Sequence, residues 1–204
     1  MKATVHVVDD DEAVLESLRF LLEPAGFAVR TYNSAMSFLE AALPVEGCIL
    51  TDFQMPDIDG LALQERLTAS GVRLPVVVMT GYGDVSLAVR AMKAGAVDFL
   101  EKPFEDSELF GAIERAIESN RRALAAYTRA SEAARQLAPL TTREREVLDH
   151  VVTGKSNKEI AQFLGISPRT IDVHRARIFH KLEADSLPDL VRLVLAAKAP
   201  GTSR

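Results

Sequence analysis

The sequence predicts two folds in series: an α/β doubly wound five-stranded parallel sheet, then an all-α four-helix domain built around a helix-turn-helix. Three observations carry this. Short apolar runs alternate with helix-like stretches five times in the first 120 residues, strand-like runs disappear after residue 140, and the charge changes sign between the halves. Residues 1–120 hold 9 Lys/Arg against 20 Asp/Glu, a net of -11, and residues 121–204 hold 15 against 9, a net of +6. An acidic half joined to a basic half points to a nucleic-acid module on its own domain.

Strand runs fall near 4–8, 28–32, 47–52, 76–81 and 97–102, with helical patterns near 12–22, 34–42, 60–69, 84–94 and 106–119. Apolar runs this short and continuous read as buried parallel strands, and strict alternation places helices on both faces. The first helix puts Val14, Leu15, Leu18, Leu21 and Leu22 on one side and stops at Pro24 and Gly26. Gly95 suits the C-terminal cap of the fourth. From 106 to 138 the chain is rich in Ala, Glu and Arg, and Leu109, Ile113, Ile117, Leu124, Tyr127, Ala134 and Leu137 keep a helical spacing. The last helix is therefore predicted to continue into a helical connector that breaks at Pro139. The domains are expected at 1–120, with a linker at 121–139 and the helical domain at 140–204.

In the C-terminal part, Thr141-Thr142-Arg143-Glu144 matches a capping box, in which a Thr oxygen and a Glu carboxylate satisfy each other's free amides. That helix ends at Gly154. Ser156 or Asn157 can cap the next, which carries Ile160, Ala161 and Leu164 on one face. Gly165-Ile166-Ser167 turns the chain, and Pro168 opens a longer helix through Leu182. Proline is tolerated there because its missing amide hydrogen has no partner in a first turn. Ser186-Leu187-Pro188-Asp189 starts a fourth helix.

Several classes are excluded. No apolar stretch reaches the length of a membrane span, and no cationic start leads into an apolar signal core. Cys48 is the only cysteine, so an intrachain disulfide is ruled out and a buried, inert thiol is expected. A cytoplasmic protein without membrane association is the expectation.

Strand ends matter most, because ligands of an open parallel sheet bind at the carboxyl edge of its strands. There the sequence places Asp9 and Asp10 after the first strand, Asp52 after the third, Thr80 after the fourth and Lys102 after the fifth. Asp52 stands alone before a loop with Pro56 and Gly60 and is the candidate nucleophile and phosphoacceptor. Carboxylates form phosphoryl intermediates, and in-line transfer needs mainly positioning and charge neutralisation. Asp9 and Asp10 would hold magnesium or manganese, Lys102 would pair with phosphoryl oxygens, and Thr80 would donate to one of them. Asp11 and Glu12 read as first-turn helix charges.

Asp9-Asp10, the run Asp52-Phe53-Gln54-Met55-Pro56-Asp57-Ile58-Asp59-Gly60, Thr80-Gly81 and Lys102-Pro103 resemble the CheY-like receiver domain of two-component response regulators. The resemblance implies phosphate accepted on Asp52 from a histidine kinase. It also implies a metal bound directly by Asp10 and Asp52, through water by Asp9, and by the backbone carbonyl of Gln54. Phe99 stands where many receivers carry a switch tyrosine. Residues 85–104 further resemble the FixJ branch, in which the fourth helix and fifth strand form the dimer face. That makes Val89, Lys93 and Asp98 candidates, although Val89 is equally readable as core. Gln54 and Tyr82 border the expected phosphate.

Residues 141–193 resemble the LuxR/FixJ/NarL helix-turn-helix through Thr142-Arg143-Glu144-Arg145-Glu146-Val147-Leu148, Asn157-Lys158-Glu159-Ile160-Ala161 and Ser167-Pro168-Arg169-Thr170-Ile171. The resemblance implies that the helix from Pro168 enters the major groove. A helical wheel sorts that helix independently: Ile171, Ile178 and Leu182 face inward, and Arg169, Val173, Ala176, Arg177 and His180 face outward with Asp172 at the edge. Arginine there reads guanine, Asp172 would accept from cytosine, and Val173 would meet a thymine methyl. Lys155, Asn157, Lys158, Thr170 and Lys181 suit phosphates. Arg175 sits nearer the core, where an ion pair with Glu144 or Glu146 is expected, and His174 reads as a packed structural residue.

The expectation is a response regulator and transcription factor that dimerises when phosphorylated, binds promoter DNA and activates transcription with RNA polymerase. Its only chemistry would be transfer onto its own Asp52 and slow self-dephosphorylation. Two rivals are a metal-dependent phosphatase, for which Gln54 stands where a second acid is wanted, and a DNA binder whose receiver dimerises without phosphate.

Overall fold

The computed structural model describes residues 3–41, 46–56, 58–81 and 85–198. The chain divides into two compact units, Met1–Arg122 and Ala123–Arg204. In the first, β1 (Thr4–Val8), β2 (Ala28–Tyr32), β3 (Cys48–Asp52), β4 (Val76–Thr80) and β5 (Asp98–Glu101) form one parallel sheet in the order β2-β1-β3-β4-β5. The helices between and after them are α1 (Glu12–Leu22), α2 (Ala35–Glu40), α3 (Gly60–Ala69), α4 (Val85–Lys93) and α5 (Asp106–Leu137), the last of which runs past Arg122 into the residues of the second unit.

β3 and β4 are buried along their whole length, which is why they read as unbroken apolar runs rather than alternating ones. One face of the sheet packs Val7, Leu50 and Met79 against Leu15, Leu18, Leu22, Leu109 and Ile113 of α1 and α5. The other packs Val8, Ile49 and Val78 against Phe38, Leu63, Leu67 and Ala91 of α2, α3 and α4. Strand order reverses between β1 and β3, and this reversal opens the crevice where Asp9 and Asp52 emerge. Asp11 caps α1 by accepting from the Ala13 amide at 2.9 Å, and Asp59 caps α3 by accepting from Ala62 at 2.7 Å.

The second unit contains α6 (Thr142–Val151), α7 (Asn157–Leu164), α8 (Pro168–Lys181) and α9 (Leu187–Ala197). Val147, Leu148, Val151, Ile160, Ile171, Ile178, Leu190 and Val194 make its core. Thr141 and Glu144 form the expected capping box, and a second one joins Ser156 to Glu159. Ser156, not Asn157, is therefore the cap of α7. Among the described residues, no helix is long and apolar enough to cross a membrane.

His6 lies wholly buried on β1, with ring centroids of Tyr32 and Phe38 at 6.0 and 5.8 Å and the Tyr32 hydroxyl 3.3 Å from Nδ1. Burial, reinforced by the charge of Arg30, lowers its pKa from 6.5 to about 4. Between those values the unfolded chain binds a proton that the folded chain refuses, so stability falls as pH drops through that window, by about 3 kcal/mol in all. Denaturant unfolding of the first unit between pH 7 and 4 should show this acid loss, and His6→Leu should reduce it by that amount.

Candidate functional site

At the carboxyl edge of the sheet, β1 delivers Asp9, β3 ends in Asp52, β4 in Thr80, and β5 leads into Lys102. Asp9, Asp52 and Thr80 are all buried. Lys102 Nζ donates to Asp9 Oδ2 at 3.0 Å and to Asp52 Oδ1 at 2.6 Å. The remaining oxygens accept from the backbone: Asp9 Oδ1 from the Asp11 amide at 3.0 Å, and Asp52 Oδ2 from the Gln54 amide at 2.6 Å. Each carboxylate is thus aimed by one amide and one shared ammonium.

Charge in this pocket is unevenly matched, two acids against one base. Burial raises the pKa of Asp9, and the Asp11 amide and Lys102 oppose that without overcoming it; the neighbouring charge of Asp52 adds to the rise. Burial alone would lower the pKa of Lys102, but its hydrogen bonds to Asp52 and Asp9 outweigh this and hold it raised. A hard cation would relieve the excess negative charge. Asp10 sits on the exposed rim, and among the described residues no three His, Cys, Asp or Glu side chains are gathered into a cage. The donors are all oxygen, which fits an ion that takes one or two carboxylates and keeps its waters. Asp57 and Tyr82 lie outside the described residues.

Phe99 is half-buried against the second core face. Val89 is 46% exposed, so it is not core; Val85 and Met92 on the same helix are exposed with it, as is Lys93. Asp98 accepts from Arg115 Nε at 3.0 Å and forms an ion pair with the same guanidinium. Sequence reasoning passed over the tight fit behind Asp52: a Cβ on Gly60 would lie 2.6 Å from the Asp52 carbonyl oxygen. Gly60→Ala must push α3 away from that strand end. We expect a loss of roughly 1–3 kcal/mol in urea unfolding.

In the second unit, α8 turns Arg169, Thr170, Val173, Ala176, Arg177 and His180 to solvent, while Ile171 and Ile178 anchor it. Fully burying such side chains contributes about 1.5–3 kcal/mol each, so the two isoleucines outweigh any single surface pair in holding the helix. Lys158 is exposed. Lys155 lies with Nζ 3.2 Å from His150 Nδ1 and 4.6 Å above the Phe163 ring centroid, a seat that its sequence neighbours did not reveal.

One expectation, the ion pair of Arg175, is corrected, and three side chains expected on DNA are engaged within the protein. Lys181, expected on phosphates, donates to the buried Glu144 Oε2 at 2.7 Å and to the Pro139 carbonyl at 3.3 Å. Arg175 pairs with neither Glu144 nor Glu146; its Nη1 donates to Asn157 Oδ1 at 2.7 Å. Asn157 and Asp172, expected on phosphate and base, hydrogen-bond each other, Asn157 Nδ2 donating to Asp172 Oδ1. A wheel ranks positions around one helix but does not say which neighbour meets each edge. His174 is half-buried, in keeping with a packed residue.

Glu144 serves two elements with one oxygen, capping α6 through the Thr141 amide at 2.9 Å and anchoring Lys181 at the end of α8. The Lys181 hydrogen bond, then those of Thr141, hold its pKa down to about 2 against the opposing effect of burial. This stabilisation is present above pH 4.5, the ordinary value, and is lost as pH falls towards 2. Glu144→Gln should lower the stability of the second unit at pH 7 by roughly 1–3 kcal/mol and flatten its acid transition, as followed by circular dichroism.

An acid-lined sheet edge closed by lysine, on one chain with a basic helix-turn-helix, defines a two-component transcription regulator. The comparisons agree. Residues 5–114 match the response regulator receiver domain, and residues 138–194 match the bacterial regulatory proteins of the luxR family. The transcriptional regulatory protein FixJ of Azorhizobium caulinodans is 50% identical over 194 residues, covering 95% of this chain and 92% of its own. The structure of the response regulator StyR superposes with a TM-score of 0.79 at 44% identity, covering 96% of this chain and 99% of that one. Full-length FixJ from B. japonicum gives 0.60 at 47% identity, covering 97% and 98%. The chain belongs to the FixJ-like response regulators, with a receiver domain and a LuxR-type DNA-binding domain.

Proposed function

We propose that Asp52 accepts a phosphoryl group from a histidine kinase and that this event pairs two copies of the chain on promoter DNA. One observation carries the reading: a single ammonium, Lys102 Nζ, spans Asp9 and the Asp52 oxygen. In the transfer, the P–N bond to the kinase histidine breaks as an Asp52 Oδ–P bond forms. Lys102 then meets phosphoryl oxygens in place of the bare carboxylate. Thr80, at the adjacent strand end, is the hydroxyl placed to follow, and Phe99 on the next strand is the ring that would rearrange. Asp9, Asp10, Asp52 and the Gln54 carbonyl would hold magnesium or manganese, which neutralises the charge of the incoming phosphate.

The exposed stripe of Val85, Val89 and Met92 on α4, beside Lys93 and Asp98, supports a dimer face there. Phosphorylation would shift a two-state equilibrium toward the form that pairs through it. Two linked DNA-binding domains then engage two half-sites, the second contact being effectively intramolecular. On each, α8 would enter the major groove, with Arg169, Val173, Ala176, Arg177 and His180 toward base edges and Lys155, Lys158 and Thr170 toward phosphates. RNA polymerase is the further partner of an activator, and the cytoplasm the setting in which kinase, DNA and polymerase meet.

Asp52→Asn should abolish acid-labile phosphorylation by the kinase or by a small acyl phosphate with magnesium. It should also leave the protein monomeric in size-exclusion chromatography and reduce binding to a selected duplex by at least about tenfold. Phosphodonor-dependent dimerisation that survives in this variant would overturn the reading.

A further inference from the structure

Ser156 takes the cap of α7, accepting from the Glu159 amide, and this frees the side chain of Asn157 at the first helical position. That amide reaches across to α8. Its Nδ2 donates to Asp172 Oδ1, and its Oδ1 accepts from Arg175 Nη1 at 2.7 Å. Asp172 and Arg175 are three residues apart and so share one edge of the helix. A carboxamide alone among side chains of this length offers a donor to an acid and an acceptor to a guanidinium at once. The network also sets the amide's orientation, because a flip would turn its oxygen to the carboxylate and its nitrogen to the guanidinium.

This bridge lies just behind the face that carries Arg169, Val173 and Arg177. Readout of bases demands that such side chains be held within about 0.5 Å and 10–20° of their working geometry. Ile171 and Ile178 fix the depth of α8 and the side it turns to the core, but apolar contacts are not directional and set the fine roll about the helix axis less sharply than hydrogen bonds do. A polar clamp at one edge removes that freedom.

We infer that Asn157 is a positioning residue for sequence recognition, which sets the roll of α8 by gripping Asp172 and Arg175. Asp172 is then a clamp partner rather than a reader of cytosine, and Asn157 is not a phosphate ligand. The inference rests on the reading of α8 as the groove helix.

The test uses full-length protein with phosphodonor. It measures affinity for a duplex that the wild type selects from a random pool and for its scrambled counterpart, between 50 and 200 mM salt. Asn157→Asp sets two carboxylates against each other and should cut the selected-to-scrambled ratio by about tenfold or more while leaving the salt slope unchanged. Adding Asp172→Asn restores opposite polarity, with Asn at 172 donating to Asp at 157 and Arg175 still donating to it. The double variant should recover most of the ratio. Asp172→Asn alone keeps an acceptor for Asn157 and should retain the wild-type base preference. This surface change keeps the test decisive even if Asn157→Asp fails to fold. A changed preference at one base position in Asp172→Asn would overturn the inference. So would an unaltered ratio in Asn157→Asp, a double variant that folds without recovery, or an equal loss on both duplexes with a shallower salt slope. Arg177→Ala separates the two levels. If it erases the preference while Asn157→Asp does not, only the clamp falls; if it leaves the preference intact, the groove-helix reading and the clamp fall together.

Discussion

The N-terminal unit is organised around one ammonium group shared by two acids. Lys102 arrives at the end of β5 and Asp52 at the end of β3, with β4 between them, and Asp9 follows β1 on the far side. Parallel strands bring these ends to one edge, and the reversal of strand order between β1 and β3 supplies the opening. Two buried carboxylates would repel each other and resist ionisation without a cation. The lysine answers that in part; burial, with a smaller contribution from the charge of Asp52, still raises the pKa of Asp9. A pocket with charge still to be matched is suited to a metal ion and a phosphate arriving together. Its backbone amides, from Asp11 and Gln54, are already aimed at the acids.

The C-terminal unit shows the same economy in a different form. Its core holds the depth of α8 through Ile171 and Ile178, and polar groups hold its ends and edge. Glu144 ties the C-terminal turn of α8 to the start of α6, and Asn157 ties its middle to the start of α7. Residues that look available for DNA in the sequence are therefore partly engaged by the protein itself. The outward face is left to Arg169, Val173, Ala176, Arg177 and His180.

Much of this is legible in the sequence. Strand and helix bounds in the first unit follow the apolar runs closely, because buried parallel strands leave a continuous signature; that Asp11, read as a first-turn charge, and Asp59 are the caps of α1 and α3 came from the structure. The gathering of acids and lysine was readable for a related reason: residues at the ends of successive parallel strands converge on one edge. Less legible was anything that depends on which side chain meets which. Val89 had two readings until its exposure separated them, and the close approach of Gly60 to Asp52 leaves no trace in periodicity.

By itself, then, the sequence determined the order of elements, the sheet edge where Asp9, Asp52, Thr80 and Lys102 gather, and the outward face of α8. These rest on periodicity and on strand ends, both of which are local properties repeated along the chain. Only the tertiary structure decided that Lys181 serves Glu144, that Arg175 and Asp172 share Asn157, and that Ser156 rather than Asn157 caps α7. The pairings of Lys181, Arg175 and Asp172 are contests between polar partners on different helices. Distance and direction settle such contests, and a linear pattern carries neither.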